Sequence, residues 1–472
     1  MSASLGLRLS QSLGDQTTSN GAVANLYAYD DAGKRDPARD RRNVVIPAGQ
    51  QVDPLKLNID PGRYLIEVML PSGETATEQV DVKADAHVAV DLAPPQTPPD
   101  WLSWHHYLGN LPSKPAMGRI PGAPSTTGIG GPRLRFPTGV PADTALKRPA
   151  DGGSLGPGME ESSAWLLAAG LEEALAGPVV SWIGDPVDAM AGDPQSAADA
   201  WEFLGRDEVR RDPVSAVSRS TPLVVKETAS DVDRQVALLG CEGPLAPGAA
   251  DRGPAGPRLR RYVVSRSPTG YAELACVPVP WQTAEGGLAP VELLVRVNPL
   301  AGESTLAMSP RDPEVGAALG YMASGSLANA RILVDQAVDL LYSKMLNPLA
   351  AAAGGYVLIA TEQRDEDQTW HGWVPNLASW FEWLPDGAIQ HARLLLRHRR
   401  GPEDVDQARE ALFTAYDRGL PFYSLGLQWL VDGLSMFASQ DPEARARLAR
   451  VQSVAFRANL QQPFTTIRLS ER

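Results

Sequence analysis

Apolar and polar residues alternate with period two from about Gly21 to Leu92. Leu26-Tyr27-Ala28-Tyr29 runs into an Asp/Gly turn at Asp30 to Gly33, and Asn43 to Pro47 and Leu55 to Ile59 follow. Pro61-Gly62 opens the next run, Arg63 to Leu70. Pro71-Ser72-Gly73-Glu74 turns the chain, and Thr75 to Val82 and Val88 to Leu92 close the pattern. Successive strand side chains point to opposite faces, so short alternating runs broken by Pro-Gly and Ser-Gly predict a small antiparallel β-sandwich over residues 18–92.

The alternation stops at Ala93. Residues 93–158 open on Pro94-Pro95-Gln96-Thr97-Pro98-Pro99 and stay rich in Pro and Gly, a composition that favours extended backbone over a packed core. One aromatic island, Trp101, Trp104, His105, Tyr107 and Leu108, suggests docking onto a neighbouring domain. Residues 159–311 read as a mixed α/β region. Helices are expected at Ser162 to Ala176 and Ala197 to Arg206, and strands at Leu223 to Val225, Arg260 to Val264, Tyr271 to Val277 and Val291 to Val297.

Over residues 312–472 the period becomes helical. Ser326 to Lys344 carries an apolar stripe at Leu327, Ala330, Leu333, Val334, Ala337, Val338, Leu341 and Tyr342. Further helices are expected at Val374 to Trp383, Gly387 to Arg399, Pro402 to Arg418, Tyr423 to Ala438 and Pro442 to Ala458, with Gly/Pro loops short enough for antiparallel hairpins. The fold class is therefore multidomain α+β: an N-terminal β-sandwich, a Pro/Gly linker, a small mixed β unit and C-terminal helical hairpins.

A net charge of −13 disfavours nucleic acid and anionic membrane as partners. The basic clusters Arg39 to Arg42, Arg258 to Arg261 and Arg397 to Arg400 are short and flanked by acids or prolines. Two cysteines are too few for a disulfide framework or a Cys-rich zinc site. Met1 to Gln16 is polar and lacks a signal-peptide pattern, and the apolar stretch Met345 to Ala360 is broken by Asn347, Pro348 and Gly354-Gly355. A cytoplasmic location is expected.

Candidate chemistry is sparse. Cys276 sits in an apolar strand and reads as a buried thiol, and Cys241 is no better placed for attack. His391 and His398 stand two helical turns apart, about 10 Å, too far to share one metal ion. Gly128-Ile129-Gly130-Gly131 lacks the strand and helix of a phosphate loop, and Asp365-Glu366-Asp367 lacks calcium-loop spacing. No catalytic, cofactor or metal residue is assigned. Trp370, Trp373, Trp380 and Trp383, with Phe381 among them, are the candidate partner surface; filling the core between hairpins is the competing reading.

Three resemblances bear on function. Pro61-Gly62-Arg63-Tyr64-Leu65-Ile66-Glu67-Val68 resembles prealbumin-like or immunoglobulin-like modules, which implies a spacer or docking unit. Ala408, Leu412, Ala415 and Pro421 resemble the second helix of a tetratricopeptide-type hairpin, which implies a concave protein-binding surface; generic α-hairpin packing is the alternative. Together with Trp380-Phe381-Glu382-Trp383-Leu384-Pro385-Asp386-Gly387-Ala388, the arrangement resembles accessory proteins of bacterial caspase-like peptidases. The expectation is a non-enzymatic interaction or scaffold protein of a bacterial conflict system, with a protein partner and an unassigned oligomeric state. The alternatives are a substrate or regulated effector of a caspase-like protease, cut in residues 93–158 where Arg119, Arg133, Arg135 and Lys147 lie, and a hydrolase of unrecognised type.

Overall fold

The computed structural model describes residues 3–9, 19–30, 33–48, 53–70, 75–92, 179–183, 201, 204, 224–230, 234–240, 261–266, 272–283, 287–298, 303–312, 315–333, 343–362 and 369–469. The linker over 93–158 and the helix expected at Ser162 to Ala176 lie outside these residues. The chain divides into two compact units. One comprises Met1–Met117, Ser309–Leu340 and Ala353–Glu366; the other comprises Gly118–Met308, Leu341–Ala352 and Asp367–Arg472.

The first unit is built on seven strands: β1 (Ala3–Leu9), β2 (Ser19–Tyr29), β3 (Arg41–Ala48), β4 (Leu55–Ile59), β5 (Gly62–Met69), β6 (Thr75–Val82) and β7 (His87–Leu92). Antiparallel pairing runs β3-β2-β5-β6, while β1 lies between antiparallel β4 and parallel β7 and joins β3 at Leu9↔Ala48. β1 corrects the reading of Met1 to Gln16 as merely polar. Leu5, Leu7 and Leu9 alternate and are fully buried, so the module starts well before residue 18.

Alternation fills the core as expected, with Leu26, Ala28, Tyr64, Ile66 and Val68 buried. Gly62 has φ 153°, a conformation that side-chain-bearing residues rarely adopt, and it lies against the Arg39 guanidinium, which explains why glycine opens β5. Two helices of the same unit, α1 (Gly316–Ala323) and α2 (Leu327–Leu333), lie against β2. The buried Tyr321 hydroxyl fastens α1 by donating to the Met69 carbonyl and accepting from the Val23 N–H at 3.2 Å.

The second unit contains two four-stranded sheets. One orders β16 (Glu303–Pro310), β15 (Val291–Asn298), β10 (Arg234–Gly240) and β9 (Val224–Ser230); the other orders β17 (Thr466–Arg468), β12 (Ala272–Val277), β11 (Arg261–Arg266) and β8 (Val179–Ile183). β13 (Trp281–Gln282) and β14 (Leu288–Ala289) form a small ribbon. The two larger sheets are tied by buried Glu273, whose carboxylate accepts the Leu306 N–H at 2.8 Å. β17 comes from the end of the chain and pairs antiparallel with β12, placing Ile467 opposite Leu274.

The helices α3 (Pro348–Thr361), α4 (Trp373–Trp380), α5 (Pro385–Arg397), α6 (Pro402–Asp417), α7 (Ser424–Phe437) and α8 (Pro442–Ala455) complete the described chain; residues of α3 from Ala353 onward group with the first unit. Proline occupies the first turn of α5, α6 and α8, where no N–H is needed, and acids follow it. Asp441 caps α8 by accepting from Glu443 and Ala444 N–H. Gly419, at φ 88°, lets the chain leave α6 through a left-handed turn. α6 and α7 approach closely because Gly433 faces Leu412: a Cβ there would come within 2.7 Å of Leu412 Cδ2.

Candidate functional site: a buried lysine beneath two exposed tryptophans

Two short elements position the site. A 3-10 turn, Ser343–Met345, carries Lys344; α4 carries Trp373 and Trp380 at its two ends. Seven positions amount to two helical turns, so both indoles stand on one side of α4. The Lys344 ammonium lies 3.8 Å from the ring centroid of Trp373 and 5.0 Å from that of Trp380. Lys344 has no solvent exposure, whereas Trp373 and Trp380 are 36% and 40% exposed.

The electrostatics are unusual. A buried ammonium normally has a carboxylate or carbonyl beside it, yet among the described residues Nζ of Lys344 has no hydrogen-bond partner. The indole faces offset part of the charge's desolvation, each by about 1–2 kcal/mol. Burial still wins, and it pulls the lysine pKa below its ordinary value. Met345 and Leu346, which follow Lys344 directly, are both about half exposed, at 54% and 50%. The feature is thus an apolar surface with one dry cation under it.

The scaffold beneath α4 is tied by hydrogen bonds. The Arg418 guanidinium, at the end of α6, donates to the carbonyls of Ala378 at 2.7 Å and of Phe381 and Leu384, neutralising the negative end of the α4 dipole. Asp386 is fully buried, and its carboxylate accepts the N–H groups of Phe422 at 2.9 Å and Tyr423 at 3.2 Å, at the start of α7. The Tyr423 hydroxyl donates to the Leu349 carbonyl at 2.6 Å, and burial together with the Asp386 charge raises its pKa well above the usual tyrosine range. Asn347 caps α3 through Ala350 N–H at 2.9 Å and donates to the Gln282 carbonyl.

The aromatic candidates separate into two groups. Trp370 and Phe381 are buried, and Trp383 stands edge-on to both Phe381 and Phe422. Trp370 and Phe381 belong to the interior, and Trp383, intermediate in exposure, packs at its margin. Trp373 and Trp380 alone of the five stand half in solvent. Lys344 was missed as a site residue because it falls at the end of the expected Ser326 to Lys344 helix, where a lysine reads as a solvated terminus. A signal was nonetheless present, since the lysine is embedded in the apolar run Leu340-Leu341-Tyr342-Ser343-Lys344-Met345-Leu346.

His398 does not associate with His391 along α5 but with His371, ring centroids 4.6 Å apart. Burial lowers the His391 pKa. Cys276 is buried in β12. Cys241, Gly128 to Gly131, Asp365 to Asp367 and the linker residues Arg119, Arg133, Arg135 and Lys147 lie outside the described residues. Among the described residues, no helix is long and apolar enough to cross a membrane.

No curated protein and no solved structure matches the chain. Residues 317–468, which include Lys344, Trp373 and Trp380, match the family model of the Y4kD C-terminal domain.

Proposed function

We propose that the protein is a non-enzymatic interaction or scaffold protein whose docking surface is centred on Trp373 and Trp380. The observation that carries this reading is the exposure of both indoles above Lys344, with Met345 and Leu346 exposed beside it in sequence. Tryptophan on a rigid support loses little side-chain freedom on binding, which suits it to a recognition hot spot. Helices α5 to α8, with Ala408, Leu412 and Ala415 buried on α6, would suit a tetratricopeptide-like support for such a surface. The sequence resemblance makes a caspase-like peptidase the first partner to test.

The experiment uses full-length protein and the variant Trp373→Ala/Trp380→Ala as parallel baits for a co-expressed caspase-like peptidase and for native lysate. The reading expects a protein retained by the first and lost from the second, with both baits equally folded. A set of retained proteins that is identical for the two baits would sink it.

A further inference from the structure

We propose that Lys344, Trp373 and Trp380 form a recognition site for an acidic side chain, Asp or Glu, presented on an apolar segment of a partner protein. The inference rests on the docking reading above and adds the chemistry of what docks.

The argument starts from the unmet demand of the ammonium. It has three N–H donors, and among the described residues its Nζ lacks a hydrogen-bond partner while lying against two π faces. Ring faces attract a cation but accept hydrogen bonds poorly. A carboxylate supplies both the charge and the acceptors, in a charge-assisted bond that strengthens away from water.

The usual objection to a buried ion pair is the desolvation of both ions. Here the lysine is dehydrated by folding itself, since Lys344 is fully covered in the free protein. Only the incoming carboxylate has to shed water on binding. The flexible four-carbon stem allows Nζ to reach the edge of the half-exposed rings. Lowered pKa agrees with a cation held short of a counter-ion. A cationic ligand, the other guest of an aromatic pair, would meet the resident ammonium.

The flanks of the ligand follow from its surroundings. Met345 and Leu346 adjoin the lysine in sequence, and the segment from Thr369 to Leu384 carries one carboxylate, exposed Glu382. An apolar residue beside the acid therefore fits better than a polyacidic run. The net charge of −13 also opposes a polyacidic partner at long range.

The probe is a random-peptide phage library panned on the full-length protein. Binding of each selected peptide and its acid-to-amide counterpart is then measured by fluorescence anisotropy. The titrated proteins are wild type, Lys344→Met, Lys344→Arg and Trp373→Ala/Trp380→Ala, each checked by circular dichroism. Methionine keeps apolar volume between the rings. The expected result is that the amide swap weakens wild-type binding about 30- to 100-fold, that it has no effect on Lys344→Met, and that Lys344→Arg keeps part of the preference. Selected peptides without an acid, or an amide penalty that persists in Lys344→Met, overturn the acidic-ligand proposal while leaving Trp-dependent docking intact. If no selected peptide depends on the two tryptophans, docking at this surface fails as well.

Discussion

Tyr423 donates its backbone N–H to the carboxylate of Asp386 across 3.2 Å of protein interior, and Phe422 does the same at 2.9 Å. One side chain on α5 thereby serves two amides at the start of α7, where the helix dipole also favours negative charge. Asp386→Ala removes the acceptor of both and is expected to lower unfolding free energy by about 2–4 kcal/mol. Asp386→Asn keeps one carbonyl acceptor and should lose less. Urea denaturation of the two variants beside wild type checks the order.

Gly387 lies in the first turn of α5, where alanine ordinarily strengthens a helix by up to about 1 kcal/mol. Here the sign reverses. A Cβ at this position would stand 2.9 Å from the Leu377 carbonyl oxygen and 3.1 Å from the Ala378 Cα, both backbone atoms that cannot swing aside. Gly387→Ala is expected to cost about 1–3 kcal/mol, read as a fall in melting temperature.

The tryptophans should respond according to their exposure. Trp370→Ala removes a side chain that is 2% exposed and should destabilise by about 3–5 kcal/mol. Trp373→Ala and Trp380→Ala remove half-solvated rings and should each cost well under that, with partner binding lost instead. Thermal melts beside pull-down yields separate the two classes; equal destabilisation at all three positions would place the whole group in the core.

Lys344 gives a dependence on pH whose direction follows from its lowered pKa. The unfolded chain holds the lysine proton more readily than the folded one, so stability rises with pH between the lowered folded value and the ordinary lysine range. Below that window the penalty for burying the charge is fully present. Lys344→Met should abolish the alkaline rise and raise stability at neutral pH by about 1–2 kcal/mol. Denaturation midpoints measured from neutral pH into the alkaline range test both.

Much of the fold could be read from local pattern. Proline at the first turn with an acid behind it marks α6 and α8, and Pro-Gly with alternation marks β5 and β6. What escaped are features made by long-range contact. β1 escaped although Leu5, Leu7 and Leu9 alternate, because the polar residues between and after them dominate the segment. β17 is only three residues long and takes its identity from β12. At the site, clustering singled out the tryptophans, but sequence spacing could not separate buried Trp370 from exposed Trp373. Nor could it bring in Lys344, whose partners lie in a different segment. His371 and His398 meet for the same reason: each belongs to its own element, and the fold supplies the proximity.

The pairing of β17 with β12 sets an order of events during synthesis. β11 and β12 leave the ribosome long before Thr466–Arg468 exist. Until then β12 exposes an open backbone edge of the kind that invites pairing with another chain. The nascent protein therefore passes through a prolonged interval in which β12 lacks its β17 neighbour, and long-range closure of this type is slow. Emergence of Thr466–Arg468, not that of β11 and β12, is the moment at which this edge can be sealed.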